Sequence, residues 1–191
     1  MSESDGQLSM QLAANLDRYF QQLVLTYQHR LYSFALRQSG SSQDAEDIVQ
    51  ETFIRAYYAL GDYPPERVRF MKLQPWLYKI TLNVFYARLR KDKLQFVSLD
   101  VSEESSVLDI EDDWREQPAI ALEDREGLRE LEALVHILPE QYRETVSLYY
   151  FEGLSYREIA ELLNHPLGTV KSNLHRGTKL LRQTLATQKS R

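Results

Sequence analysis

The stretch that decides the fold is residues 138–185, and its second part reads SYREIAELLNHPLGTVKSNLHRGTKLLRQTL over residues 155–185. Ser155 followed by Glu158 is the S-x-x-E pattern of a capping box, which predicts the start of a helix. This helix should end near Asn164, because asparagine tolerates the left-handed conformation and the proline two residues further on suits the start of a new helix. Two helices joined by a tight turn predict a helix-turn-helix.

The second of these helices has one apolar face and one polar face at about 100° per residue. The apolar face comprises Val170, Leu174, Gly177, Leu181 and Leu185. The candidate DNA-contacting residues on and beside the opposite face are Lys171, Ser172, His175, Arg176 and Lys179. No acidic residue follows Pro166, so this face suits a major groove that is flanked by phosphates. A solvated basic helix is the alternative explanation.

Charge is unevenly distributed along the 191 residues. The formal net charge of −5 is unusual for a DNA-binding protein. However, residues 67–93 hold eight Lys or Arg against one acid, whereas residues 99–126 hold eleven acids against two Arg. The local charge therefore indicates one basic surface and one acidic segment, and it is a better guide to partners than the net charge.

Several function classes are disfavoured by what the sequence lacks. It has no cysteine, which excludes disulfides and cysteine-ligated zinc. No glycine-rich phosphate loop or nucleophile motif is present, and the histidines do not have metal-ligand spacing, so we expect no enzyme activity, cofactor or metal. The histidines are His29, His136, His165 and His175. No apolar run has the length of a signal peptide or a membrane span, which predicts a cytoplasmic protein without membrane insertion.

The periodicity predicts an all-α protein with two small helical domains joined by an acidic linker. Helices are expected from Leu12 to about Gln38, with a possible break near Gln28, and then over residues 43–60 and 73–91. Residues 1–10 are polar and are expected to be frayed. Ser41 or Ser42 can cap the helix over residues 43–60, and the two prolines within residues 61–66 predict a loop. The predicted domains are residues 1–93 and 127–191, with the linker at residues 94–126.

The helix predicted over residues 43–60 has an acidic face that carries one apolar residue. The candidate partner-binding residues on this face are Asp44, Asp47, Gln50, Glu51 and Ile54. An ordinary solvated face is the simpler explanation of the acids. Ile54 points instead to a protein partner, because an apolar side chain on a polar face can anchor an interface.

The helix predicted over residues 73–91 is apolar on two sides, which indicates burial between neighbouring helices. Between these sides runs a polar stripe of Lys79, Asn83, Tyr86 and Arg90, with Lys72 just upstream. Cations can follow a nucleic-acid backbone, aromatic rings can stack on bases, and an amide can read a base edge, so this stripe is a candidate surface for single-stranded DNA. A core helix with an ordinary polar surface would explain the same pattern except for its concentrated positive charge.

Taken together, these segments resemble a known family. DAEDIVQETF at residues 44–53 and PWLYKI at residues 75–80 resemble the second conserved region of extracytoplasmic-function (ECF) sigma factors. LPE at residues 138–140, GLSYREIA at residues 153–160 and GTVKS at residues 168–172 resemble their fourth region. The two matches follow each other in the expected order and cover most of the chain.

The resemblance implies a transcription initiation factor that binds core RNA polymerase and directs it to promoter DNA. It implies that the acidic helix docks on the β′ clamp helices, that the C-terminal domain meets the β flap, and that the linker passes near the RNA exit path. The polar stripe with Lys72 would read and open the −10 element, and the last helix would read the −35 element. An anti-sigma factor is a further candidate partner.

Two departures from the family pattern bear on promoter sequence. Asn173 and the pair Gly177-Thr178 stand where many members carry Arg and Ala-Arg, which suggests a less basic and more flexible DNA-facing helix. Between Asp62 and Gln74 the chain has an additional pair of prolines and differs from the usual loop.

The main alternative is a helix-turn-helix transcriptional regulator of the LuxR-like kind, which would bind duplex DNA without docking on polymerase. That alternative accounts for residues 138–185 but leaves the acidic helix and the acidic linker unexplained. An enzyme is the third class, and no motif supports it.

Overall fold

The computed structural model describes residues 3–96, 132 and 134–189, and within these ranges the chain is helical without a strand. The helices are α1 (Glu3–Ala14), α2 (Leu16–Ser39), α3 (Ser42–Asp62), α4 (Pro65–Arg69), α5 (Leu73–Phe96), α6 (Glu140–Val146), α7 (Tyr156–Leu163) and α8 (Leu167–Lys189), with a π-helical turn at Ser147–Phe151 between α6 and α7. The predicted all-α class is confirmed. Most of the predicted linker, residues 97–126, lies outside the described residues.

The N-terminal end differs from expectation. Residues 3–10 belong to α1 and are not frayed, because Leu8 and Leu12, one helical turn apart, are buried against the rest of the N-terminal domain. The Ser9 hydroxyl also donates to the Arg69 carbonyl at the end of α4. The break in the first long helical stretch lies at Asn15, whose side chain accepts from the backbone N–H of Arg18, and not near Gln28.

The junctions between α2, α3 and α4 follow from local sequence. Gly40 ends α2 in the left-handed conformation at φ 71°, and Ser41 caps α3 as expected by accepting from the backbone N–H of Asp44. The loop predicted at residues 61–66 is shorter than expected, because α3 continues through Asp62 and Pro65 occupies the first position of α4.

Helix α5 is the central element of the N-terminal domain. As predicted, it is buried on two sides, and its buried apolar residues are Leu73, Leu77, Tyr78, Leu82, Val84 and Phe85. It packs against α2 and α3 in its own domain and against α7 of the C-terminal domain. The two domains are therefore in direct contact.

The C-terminal domain contains the predicted helix-turn-helix. The reciprocal capping box of Ser155 and Glu158 starts α7, and Asn164 ends it in the left-handed conformation at φ 55°. The apolar face of α8 is buried at Val170, Leu174 and Leu181. The π-helical turn before α7 was not predicted from the sequence.

The inner side of α8 corrects one expectation about DNA contact. Asn173 and Thr178 are each only 8% exposed, so these residues lie on the packed side and do not make the DNA-facing side less basic. A Cβ at Gly177 would lie 2.7 Å from Val146 Cγ2, which means that the missing side chain allows α8 to approach α6 closely. Gly177 therefore serves the close packing of α8 on α6, and the greater flexibility of the helix stays a prediction.

None of the helices that the structure describes is both long and apolar enough to span a bilayer.

Candidate polymerase and nucleic-acid interfaces

The acidic face of α3 is present, and its three candidate carboxylates, Asp44, Asp47 and Glu51, have partners within the domain. Asp44, Gln50 and Ile54 are exposed, whereas Asp47 and Glu51 are half-buried. Arg88 on α5 donates to Asp47 at 2.8 Å and lies 3.9 Å from Asp44. Glu51 pairs with Arg55 one turn later on α3. Any basic partner would have to compete with these arginines.

An apolar depression of about 390 Å³ lies beside this face. Its lining residues are Phe20, Val24, Gln50, Phe53, Ile54, Tyr57 and Tyr58. Ile54 is 51% exposed at its edge, so the apolar residue that the sequence analysis singled out belongs to a larger apolar surface. The contribution of Phe20 and Val24 was missed, because both lie on α2, an earlier helix.

The polar stripe of α5 lies in a cleft between the two domains. Lys79 and Asn83 are exposed, and Tyr86 is half-buried. These three residues line a cavity of about 540 Å³ together with C-terminal residues. The C-terminal lining residues are Glu140, Gln141, Glu144, Leu162, Leu163 and His165. Arg90 is exposed further along α5 and does not line this cavity.

Lys72, the remaining candidate residue for the −10 element, contacts the C-terminal domain directly. Its Nζ donates to Glu158 Oε1 at 2.9 Å, so the carboxylate that caps α7 also pairs with a lysine of the N-terminal domain. Burial alone would raise the pKa of Glu158, but the hydrogen bonds from Lys72 and Ser155 outweigh it and lower that pKa to about 2. The pKa of Lys72 is raised by the same contact.

Glu144 is an unusual member of the cleft wall. It is only 4% exposed, and its Oε1 has no hydrogen-bond partner among the described residues. Burial raises the pKa of this carboxyl to about 7, because desolvation disfavours the charged form.

The C-terminal helix α8 presents its predicted polar face outward. His175 and Lys179 are exposed, and Lys171, Ser172 and Arg176 are half-buried. All five lie in the one helix that follows the tight turn, and none of them lines the cleft between the domains.

A buried polar cluster at the domain boundary was missed by sequence reasoning. Glu152, 5% exposed, accepts hydrogen bonds at its carboxylate from Arg37 and from the Tyr78 hydroxyl, and Arg30 lies 3.6 Å away. We call Glu152 with Arg30, Arg37 and Tyr78 the Glu152 cluster. The sequence around Glu152, Phe-Glu-Gly, carries no signal for it, because the partners lie in α2 and α5.

The described residues contain no group of three or more His, Cys, Asp or Glu side chains that could hold a metal ion.

Comparisons with known families agree on both halves of the chain. The family description "Sigma-70 region 2" matches residues 23–95, and "Sigma-70, region 4" matches residues 128–181. The first match contains α3 and almost all of α5, and the second contains the helix-turn-helix up to the middle of α8.

Similar curated proteins are sigma factors. The chain is 38% identical to the ECF RNA polymerase sigma factor SigE of Mycolicibacterium smegmatis, over 88% of this chain and 62% of that protein. It is 34% identical to the RNA polymerase sigma-H factor of Pseudomonas aeruginosa, over 96% of this chain and 94% of that protein. It is 33% identical to the ECF sigma factor SigW of Bacillus subtilis, over 87% and 88% of the two chains.

Solved structures with a similar fold include two complexes. CnrH in complex with the cytosolic domain of CnrY aligns with a TM-score of 0.65 at 24% identity, over 97% of this chain and 99% of that chain, and shows the fold alone. RpoE in complex with the anti-sigma factor NepR, from Bartonella quintana, aligns with a TM-score of 0.65 at 25% identity, over 87% and 96%. These relatives decide against a plain DNA-binding regulator, and the chain belongs to the ECF family of RNA polymerase sigma factors.

Proposed function

We propose that this chain binds core RNA polymerase through the α3 face and directs it to promoters that α5 and α8 read. The observation that carries the proposal is Ile54, which is half-exposed among Asp44, Asp47 and Glu51 and borders an apolar depression. An apolar anchor surrounded by charge is typical of a protein interface, since the apolar centre supplies affinity and the charged rim supplies orientation. The β′ clamp helices are the partner we assign to this face.

The DNA-binding roles divide between the two domains. Lys72, Lys79, Asn83, Tyr86 and Arg90 would hold the unpaired strand of the −10 element. Lys171, Ser172, His175, Arg176 and Lys179 would contact the duplex of the −35 element. The C-terminal domain would also meet the β flap.

The remaining assignments follow from the same role. The chain would act in the cytoplasm, where it meets the polymerase, and it would contribute no catalysis and need no cofactor, because the polymerase performs the chemistry. An anti-sigma factor is a proposed regulator, supported by the complex of the similar sigma factor RpoE with the anti-sigma factor NepR.

Reversing the charge of the α3 face tests the proposal. Asp47→Lys with Glu51→Lys should weaken binding to core polymerase about tenfold or more, because both lysines would repel a basic partner. Within the chain, the two lysines would also lose the ion pairs with Arg88 and Arg55. Binding is measured by fluorescence titration of labelled chain with core enzyme, and circular dichroism should show unchanged helicity.

A matched control makes the same charge change elsewhere on α3. Glu46→Lys with Asp62→Lys alters two exposed acids of α3 outside the proposed set, and core binding should stay within about twofold of wild type. Wild-type affinity in the Asp47 and Glu51 variant would contradict docking through this face.

A further inference from the structure

Two buried carboxylates of the C-terminal domain differ in what surrounds them. Glu152 accepts hydrogen bonds from Arg37 and from the Tyr78 hydroxyl. Glu144 is as deeply buried, yet its Oε1 has no hydrogen-bond partner among the described residues. A buried carboxylate is ordinarily paired, because its removal from water is otherwise uncompensated. Glu144 therefore lacks the partners that Glu152 has.

The electrostatics of the two carboxyl groups show the same difference. At Glu152, Arg37, Tyr78 and Arg30 all act to lower the pKa against the effect of burial. At Glu144, desolvation raises the pKa to about 7, and no charge within the described part of the chain acts against it. A cation that bound beside Glu144 would supply there what Arg37 supplies at Glu152.

Glu144 lines a cavity that is large enough to admit a small molecule. The cavity between α5, α6 and α7 has a volume of about 540 Å³. Sites for small molecules usually have volumes of roughly 300–1,000 Å³. Polar side chains of both domains line this cavity together with three leucines, Leu82, Leu162 and Leu163. Such a lining suits a ligand that has an apolar body and polar ends.

The charged side chains of the lining differ in sign between the two domains. Lys79 lies on α5 and is exposed, so a ligand can reach its ammonium group. Glu140 and Glu144 lie on α6, one helical turn apart. A ligand that bridges α5 and α6 therefore meets a positive group at one end and negative groups at the other.

This distribution of charge selects among classes of ligand. A metal ion is disfavoured, because the structure describes no group of three or more His, Cys, Asp or Glu side chains that could hold one. A simple anion would be repelled by Glu140 and Glu144, and a simple cation would be repelled by Lys79. A zwitterion with its two charges separated by an apolar body satisfies both sides.

We propose that this cavity binds a zwitterionic amino acid or short peptide with apolar side chains. The ammonium group of the ligand pairs with Glu144 and Glu140, and its carboxylate pairs with Lys79. The apolar side chains lie on the three leucines of the lining. This site is separate from the proposed function, because binding requires neither polymerase nor promoter DNA.

A set of dipeptides that differ only at their ends tests the two charged contacts. Leucyl-leucine carries both charges, N-acetyl-leucyl-leucine lacks the ammonium group, and leucyl-leucine amide lacks the carboxylate. Isothermal titration of the full chain, without polymerase or DNA, measures the dissociation constant of each. Leucyl-leucine should bind at least about tenfold more tightly than either blocked form, because each lost charge removes charge-assisted hydrogen bonds. Equal affinities of the three forms would overturn the site.

Free leucine distinguishes the two sources of this chemistry. It has the same two charged groups but only one apolar side chain. Leucine binding as tightly as leucyl-leucine would identify the ligand as an amino acid, whereas binding about tenfold weaker would identify it as a peptide. If neither compound binds at millimolar concentration, the proposal is wrong.

Glu144→Gln tests the buried carboxylate, because the replacement keeps the size of the side chain and removes its negative charge. The affinity for leucyl-leucine should fall about tenfold or more. The affinity for N-acetyl-leucyl-leucine should not fall, since this form has no ammonium group to pair with Glu144. A carboxylate with a merely structural role would give no such difference between the two peptides, and unchanged binding of leucyl-leucine would overturn the proposal.

Lys79→Gln gives the complementary test at an exposed position, where replacement leaves the core intact. This variant should bind leucyl-leucine about tenfold more weakly and leucyl-leucine amide as the wild type does. Glu161→Gln is the matched control, because Glu161 is exposed on α7 and does not line the cavity. It should stay within about twofold of wild type for every peptide. Equal weakening of all the peptides by Lys79→Gln, or the same loss in Glu161→Gln, would contradict the assignment.

Discussion

The two proposed DNA surfaces have similar side-chain chemistry but different surroundings. The stripe on α5 combines Lys79 with Asn83 and Tyr86, and the outer side of α8 combines Lys179 with His175. The α5 stripe lies in a cleft against the other domain, whereas His175 and Lys179 are exposed and line no such cleft. The residue types of a surface therefore indicate which ligand it can bind, and the elements packed beside it determine how a ligand can reach it.

The surroundings also differ in charge. No residue of helix α8 carries a carboxylate, so a duplex bound there would meet only neutral or positive side chains of that helix. The α5 stripe faces Glu140 and Glu144 across the cleft. If both surfaces bind DNA, the carboxylates across the cleft would oppose a phosphate at the α5 stripe, and no residue of α8 itself would do so.

The largest predicted effect concerns Glu144, which lines the cleft together with the α5 stripe. The pKa of this carboxyl is raised from 4.5 to about 7, so its ionisation opposes folding, and the free energy of unfolding should fall as pH rises through this interval. Glu144→Gln should remove this pH dependence and stabilise the chain above about pH 7 by up to roughly 3 kcal/mol. Urea unfolding at a series of pH values measures it.

The control for Glu144 lies one turn away. Glu140 is exposed on the same helix and lines the same cleft, and Glu140→Gln should leave the pH dependence as it is in wild type. Parallel pH profiles for wild type and Glu144→Gln would show that this carboxyl does not resist ionisation.

The elements that sequence predicted correctly are those that depend on neighbouring residues. The capping box of Ser155 and Glu158, the left-handed Asn164 and the Ser41 cap are each decided within a few positions. The two buried sides of α5 were likewise readable from its periodicity.

The features that sequence missed depend on residues far apart in the chain. The sequence of α1 indicates a polar tail, whereas the structure buries Leu8 and Leu12 in the domain. The packing role of Gly177 was missed in the same way, because its neighbour Val146 lies in another helix. Arg37 and Glu152 lie 115 residues apart, so no local pattern could pair them. The residue types of the candidate −10 stripe could be predicted, but the C-terminal residues that line the cleft with it could not.

A smaller predicted effect tests the α5 stripe directly. Asn83→Ala should reduce open-complex formation by holoenzyme about tenfold, because an amide that reads a base edge contributes about 1–3 kcal/mol of discrimination. Core binding should be unchanged, since α3 is not altered. Permanganate reactivity of promoter thymines measures melting, with Gln21→Ala, an exposed amide on α2, as the control. Undiminished reactivity would remove Asn83 from the −10 surface.

The smallest effects distinguish base reading from backbone contact on α8. Arg176 lies in the middle of the outward side, where a guanidinium can reach a guanine edge with two hydrogen bonds, whereas Lys179 lies nearer the end and is placed to meet phosphate. Arg176→Ala should cost about 1–3 kcal/mol at one position of the −35 element and little at the others. Lys179→Ala should weaken all sequences about equally and lower the salt slope by roughly one unit.

Promoter binding by holoenzyme, measured across a set of −35 variants and several salt concentrations, separates the two roles. Both variants should remain folded, because the buried apolar residues of α8 are Val170, Leu174 and Leu181 on its other side. Thermal unfolding of the free chain checks this directly. If Arg176→Ala weakens every −35 variant alike and shares the salt behaviour of Lys179→Ala, Arg176 contacts only the backbone. Base reading on α8 would then have to come from the neighbouring Ser172 or His175.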